Sequence, residues 1–487
     1  MKGRLCIVLL LFSVLLFALP GCREQGQNLK DVTSFVVTDS DSDLEYLEAY
    51  PSLNYVDMQN FRDYQAIMGY ISKHPNVQVV YGVEIGENIY PNDVEQLTLQ
   101  QNVGSFEQLL ENLRYLPKVT ALSFPNTDLT LEQLAVLKEE YSRLDISYTV
   151  SVNGTILDPD TAELDLSWLV PEDVESTAEQ LKLITGLKTV ELMNQEGTSA
   201  LSVGDVKYLQ DKLPGVFFKY RFDLFGQTVS TEDEVIAYDE VPIGNEGEQA
   251  IRDALDILTN CIYFKLDDCG LDNEVMDGIR KDYPEKEIVW RVHIKPFSML
   301  TDETMLRLTF HLNDNNVEDL KYLNDVTYLD VGHNETLTDI SFVQYMPKLE
   351  CVIISGSSVV DISYFKNCKE LVWLEMCFCY FVEDLSCLVD MPNLKYLNVS
   401  ISKVSDLSPL DNVKLERLNC MNTDVSDEQE AAFVEKHPNC LSVFEGDQPY
   451  GYGWRYNDTG IELFDYYANM RKVFRYDEKK YWGNHKE

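Results

Sequence analysis

The chain has 487 residues, 45% of them hydrophobic, and a formal charge of −42 at neutral pH, so it can build a sizeable core beneath a surface that repels polyanions. That charge all but excludes nucleic acid as a partner, since neutralising phosphates demands a basic face. Of the eleven cysteines, nine remain after Cys6 and Cys22, an odd number scattered along a long chain, which points to buried small hydrophobes rather than a disulfide scaffold.

At the start, Lys2 and Arg4 precede an apolar run from Leu5 to Leu19 that ends in Pro20-Gly21-Cys22. A basic start, a short apolar run and a small-residue exit form the layout of a cleavable export signal over 1–21, and the run falls short of the roughly 20 residues of a spanning helix. Through Leu19, Gly21 and Cys22 the segment resembles a bacterial lipoprotein signal, with Pro20 as a departure. The resemblance implies lipidation of Cys22, a tether over 22–30, and an extracytoplasmic chain held at the cell surface and touching the membrane through its N-terminal lipid only. Loss of Lys2 and Arg4 with the signal takes the charge from −42 to −44. Further on, Asp39-Ser-Asp41-Ser-Asp43 opens like a calcium loop. Leu44 occupies the position that needs glycine and Tyr50 that of the closing glutamate, so it reads as a solvated acidic turn.

Residues 31–305 contain long α/β repeats. Tyr81-Gly-Val-Glu-Ile, Tyr148-Thr-Val-Ser-Val, Tyr220-Arg-Phe-Asp-Leu and Trp290-Arg-Val-His-Ile stand 67, 72 and 70 residues apart and alternate as half-buried strands do. Sixteen residues after each aromatic comes the first core position of another strand, at Leu97, Leu164, Ile236 and Leu306. Between them lie amphipathic stretches such as Leu131–Lys138 behind a Thr130 cap, predicting alternating strand and helix. Smaller steps, from Leu97 to Leu122, Ile146 and Leu164, lead into the 23-residue step from Leu306 to Leu329 and predict one uninterrupted solenoid. Lys73-His74-Pro75-Asn76 returns as Lys436-His437-Pro438-Asn439, and a histidine beside a proline before a strand is turn punctuation rather than a metal motif.

Over 306–441 the period shortens. Asp339-Ile-Ser341, Asp361-Ile-Ser363, Asp384-Leu-Ser386 and Asp406-Leu-Ser408 recur at 22, 23 and 22 residues, and the strand positions Leu329, Val352, Leu374, Leu397 and Leu418 at 23, 22, 23 and 21. The pattern resembles short bacterial leucine-rich repeats, with Leu-x-x-Leu-x-Leu strands and a return like Asp406-Leu-Ser-Pro-Leu410. That resemblance implies an α/β solenoid whose units stack into a common interior, and a binding role rather than catalysis. Where that family often has asparagine, this chain reads Asn334, Ser357, Cys379, Ser402 and Thr423, which predicts a weaker turn ladder.

Residues between core positions should form lateral rows on a concave sheet. One row is Tyr328, Cys351, Trp373, Tyr396, Arg417; the next is Asp330, Ile353, Glu375, Asn398, Asn419; a third holds His333, Gly356, Phe378, Ile401 and Asn422. Aromatics flanked by carboxylate and amide groups suit an extracellular protein, peptide or glycan, which makes Tyr328, Trp373, Glu375, Tyr396, Asn398 and Arg417 the candidate contacts. Residues 442–487 abandon the repeat and concentrate tyrosine and tryptophan, and a cap over the last coil containing a helix over Ile461 to Tyr476 is expected; an aromatic binding module is the alternative. A second reading of the whole chain is an extracellular hydrolase or solute-capture lipoprotein with its site in that segment. Cys377-Phe378-Cys379 sends its thiols to different columns and no other ligands join them, so no metal is expected. With no His-Glu-x-x-His, Gly-x-Ser-x-Gly or phosphate loop, no catalytic residue and no cofactor is assigned.

Overall fold

The computed structural model describes residues 29–38, 44–100, 103–457 and 460–478; the export signal, Cys22, most of the tether, the acidic turn at 39–43, Tyr481 and Trp482 lie outside them. The chain divides into two compact units, Met1–Leu164 with Glu172–Thr189, and Asp165–Pro171 with Val190–Glu487.

In the first unit, strands Ser34–Val36, Tyr55–Met58 and Gln78–Ile85 pair in parallel, as do Gln96–Thr98, Ala121–Phe124 and Asp145–Tyr148. Helices occupy the crossovers. Leu131–Glu140 starts at Thr130, whose hydroxyl and backbone exchange hydrogen bonds with Gln133 in a capping box. His74 ends helix Tyr64–Lys73, its ring against Tyr70 at 4.4 Å, and His437 repeats this on Phe433 at 4.3 Å after helix Asp427–Lys436 in the second unit. Both histidines are turn punctuation in the structure.

Each long repeat also carries a hairpin that the periodicity did not reveal. Gln78–Ile85 turns back on Asn88–Pro91, Val150–Val152 on Thr155–Leu157, Arg221–Leu224 on Gln227–Ser230, and Glu287–Ile294 on Phe297–Leu300. Asn153-Gly154, both left-handed at φ 47° and 77°, was the legible signal, because a two-residue hairpin turn needs that backbone. The anchoring aromatics bury their rings and use their polar tips locally: the hydroxyls of Tyr81, Tyr148 and Tyr220 donate to the carbonyls of Tyr115, Leu183 and Leu201, and the Trp290 indole to Asn273.

The second unit contains a seven-stranded parallel sheet, β1 Met305–Arg307, β2 Tyr328–Asp330, β3 Cys351–Ile353, β4 Trp373–Glu375, β5 Tyr396–Asn398, β6 Arg417–Asn419 and β7 Leu441–Val443. The predicted register holds, with Leu306, Leu329, Val352, Leu374, Leu397 and Leu418 paired in succession and all fully buried. Short 3-10 turns return the chain between strands. At each corner the aspartate carboxylate accepts the N–H of the serine two residues on, at 2.7–2.9 Å, in place of a helical partner. The interior runs from Leu224 to Phe433 without a break near residue 305, so long and short repeats of this unit share one core.

The column read as a weakened asparagine ladder keeps its bonding. Asn334 serves the backbone of Leu308, Val331 and Leu312, while the Cys379 thiol, Ser402 and Thr423 each donate to a carbonyl of Ile354, Val399 or Cys420. The nine cysteines among the described residues are unpaired and seven are buried. Among those residues, no three potential ligands converge as a metal site, and no helix is long and apolar enough to cross a membrane.

Candidate ligand cleft

The open face of the sheet, turned away from the leucine interior, is occupied by the chain itself. After β7 the backbone crosses back over this face and forms the helix Asp465–Val473. The segment was expected as an end cap with a helix over 461–476; the helix is shorter, Asp465–Val473, and it lies on the sheet face, because its apolar side, Tyr467, Met470 and Phe474, recurs at helical spacing and meets the aromatic row.

Six residues expected to face a partner therefore carry the chain's own segment, which corrects their assignment as open contacts. Trp373 is fully buried, its ring 4.2 Å from Trp454 and stacked near Tyr466 and Tyr467. Tyr396 packs on Phe464 and Tyr466, and half-buried Tyr328 meets Phe474 edge-on. Arg417 lies 3.7 Å over the Phe464 ring and donates to the carbonyls of Trp454 and Tyr456. The polar row acts as hooks. Glu375, fully buried, accepts from the Trp454 indole at 2.7 Å and pairs with Arg455. Asn398 and Asn419 both donate to the carbonyl of Pro449, at 2.8 and 2.9 Å. Asp330 accepts from the Tyr476 hydroxyl at 2.5 Å and the Gly332 N–H at 2.9 Å; its burial pushes the carboxyl above its ordinary range.

Cys377 is buried under the same cover, and its thiol reaches Ser355 at 3.2 Å while Cys379 meets Ser357 at 3.4 Å. Burial raises the Cys377 thiol to about 12, so it is an inert hydrophobe rather than a nucleophile.

What the segment leaves open is a cleft of about 870 Å³ between it and the exits of β1 to β4. This lies within the roughly 300–1,000 Å³ of small-ligand sites. Its strand-exit side is the third row, extended by one repeat to Phe310. Every member of that column is left-handed, from Phe310 at φ 74° through His333, Gly356, Phe378 and Ile401 to Asn422 at 52°. The N–H groups of the middle four reach carbonyls of the next coil at 2.8–3.0 Å, so the backbone of this column belongs to the repeat. Its side chains do not follow from that backbone: glycine and asparagine adopt it cheaply, whereas a bulky residue carries a cost of roughly 1–2 kcal/mol. Phe310 is nevertheless 67% exposed and stacks on His333 with ring centres 5.0 Å apart. Phe378 sits between Tyr380 and Tyr450, both exposed. Phe310 was missed in the sequence, and the segment's side of the cleft, Tyr450 included, was read there only as the alternative of an aromatic binding module; an aromatic in a left-handed column is the signal that could have found Phe310.

Neither a family model nor a curated protein matches the chain. Among solved structures it is similar to an internalin from Listeria monocytogenes, at 15% identity over 74% of this chain and 86% of that one, TM-score 0.25. A leucine-rich-repeat protein from Leptospira interrogans matches at 13% identity over 86% and 97%, TM-score 0.25. The functional domain of InlJ from Listeria monocytogenes, described as including a cysteine ladder, matches at 14% identity over 84% and 72%, TM-score 0.22. At these TM-scores the matches carry no argument about this chain; the repeat fold rests on its own register.

Proposed function

We propose that the chain is a non-enzymatic binding protein, lipid-anchored through Cys22 at the cell surface, that captures an extracellular ligand in the cleft between the strand exits and the C-terminal segment. The observation that carries this is Phe310 and Phe378: aromatic side chains held at left-handed backbone positions where they are costly, the first exposed and the second half-buried, both lining one cleft and touching there only other rings that line it. The six residues of the covered face serve the site by positioning the segment that forms its other side. This joins the binding-scaffold reading to the solute-capture reading, in which the C-terminal segment contributes to the site. Protein, peptide and glycan remain the ligand classes; nucleic acid is disfavoured by the charge.

The test is binding of the purified chain to a mixed glycan and peptide array beside a Phe310→Ala/Phe378→Ala variant of unchanged thermal stability. A specific signal lost in the variant supports the cleft. A signal that survives in full moves recognition elsewhere and sinks the reading.

A further inference from the structure

Three arginines and three tyrosines alternate across the cleft, from Arg307 at the end of β1 to the C-terminal segment. The Arg307 guanidinium lies 4.8 Å from the centre of the Tyr476 ring; Arg471 lies 5.8 Å from Tyr476 and 5.9 Å from Tyr467; Arg455 lies 5.1 Å from Tyr467 and 5.4 Å from Tyr450. All six side chains line the cleft, and its basic residues other than His333 are all arginines. A guanidinium held against an aromatic face is fixed in plane, which aims its N–H edge and suits it to a carboxylate more than a mobile ammonium would be. Such a row of cations stands out on a chain of net charge −42.

Resting on the reading of the cleft as the binding site, we infer that its ligand is a short acidic saccharide, with a uronic-acid carboxylate on the arginine row and sugar rings on the strand-exit aromatics. Two features set the charge of the ligand. Arg455 already pairs with Glu375 and Arg471 with Asp477, and Asp330 and Glu335 line the same cleft, so the row offers partial rather than full positive charges, enough for singly charged carboxylates spaced one per sugar and poorly matched to doubly charged phosphate. The acidic surface around it also opposes dense polyanions.

The remaining surfaces fit a sugar. Phe310 on His333, and Phe378, present flat apolar faces of the kind that the C–H face of a pyranose covers. The floor between them is low because Gly332 and Gly356 have no side chain; a Cβ on Gly332 would stand 3.1 Å from the Asp330 carboxylate and 3.3 Å from the Ser355 carbonyl. Ser355 and Ser358 also line the cleft; their hydroxyls donate to Glu375 and to the Glu335 carbonyl, which leaves their oxygens as acceptors for a ligand rich in hydroxyl groups. An acidic peptide would use the arginines and leave the flat rings without a matching face.

The experiment is titration calorimetry of the purified full chain with trigalacturonate, beside neutral cellotriose, a hexaglutamate peptide and adenosine monophosphate, repeated on Arg307→Gln and Phe378→Asn. The expected result is binding of trigalacturonate at least tenfold tighter than of the other three, weakened at least tenfold by either substitution and reduced by added salt. Equal binding of cellotriose, no effect of Arg307→Gln, or tighter binding of the peptide or the nucleotide overturns the acidic-saccharide inference. If any of those ligands still loses binding in Phe378→Asn, the cleft survives as the site and only its ligand class changes. Trigalacturonate binding that ignores both substitutions overturns the inference and counts against the cleft as well; absence of trigalacturonate binding overturns the inference alone.

Discussion

The sheet face and the strand exits of the second unit are built from the same strands in the same register, yet they end in opposite states. On the face, the rows of Tyr328 and Asp330 are covered, and Asp330, Glu375, Asn398, Arg417 and Asn419 find partners on the C-terminal segment. Three residues past the end of their strands, Phe310, His333 and Phe378 stand at a cleft with rings that the fold leaves exposed or half-exposed. Aromatic and amide rows do signal recognition, but the occupant can be in the same chain. The better marker of an outside ligand is a residue whose identity neither packing nor backbone requires.

That contrast can be broken first at its centre. Trp373→Ala removes the side chain against which Trp454, Tyr466 and Tyr467 pack, and should cost about 3–5 kcal/mol in urea unfolding, with hydrogen exchange of residues 449–476 rising most. If that segment stays protected, the covered face is held elsewhere. Glu375→Ala should follow at about 3 kcal/mol, because it leaves the Trp454 indole and the Arg455 guanidinium without their buried acceptor; proteolysis within the segment should accelerate.

At the strand exit the sign should reverse. Phe378→Asn places a residue tolerant of left-handed backbone at φ 62° and should raise stability by up to about 1 kcal/mol while lowering ligand binding. A loss of stability would make Phe378 a packing residue and erase the contrast. The smallest effect expected is on pH dependence. Burial raises the Asp330 carboxyl, so the folded state binds a proton more tightly than the unfolded chain does; this contribution is present at acid pH and is lost as pH rises from the ordinary carboxylate range through the raised value. Denaturation of Asp330→Asn across that range should be flatter than that of the parent chain.

The sequence by itself determined the coil: the leucine positions, the Asp-x-Ser corners, the helix caps and the lateral rows are all set within a few residues or one repeat, where hydrophobic period and local hydrogen bonding act. The hairpins were legible only in part, through Asn153-Gly154: Phe225-Gly226 adopts the same left-handed pair without an asparagine to announce it, and the other turns use Gly86 and Lys295-Pro296. Only the tertiary structure decided what lies on the sheet. Glu375 finds Arg455 80 residues away and Asp330 finds Tyr476 146 residues away, pairings with no period or motif to announce them. They exist because an exposed aromatic row and an apolar helix lower their free energy by burying each other, and the fold brings the end of the chain within reach of both.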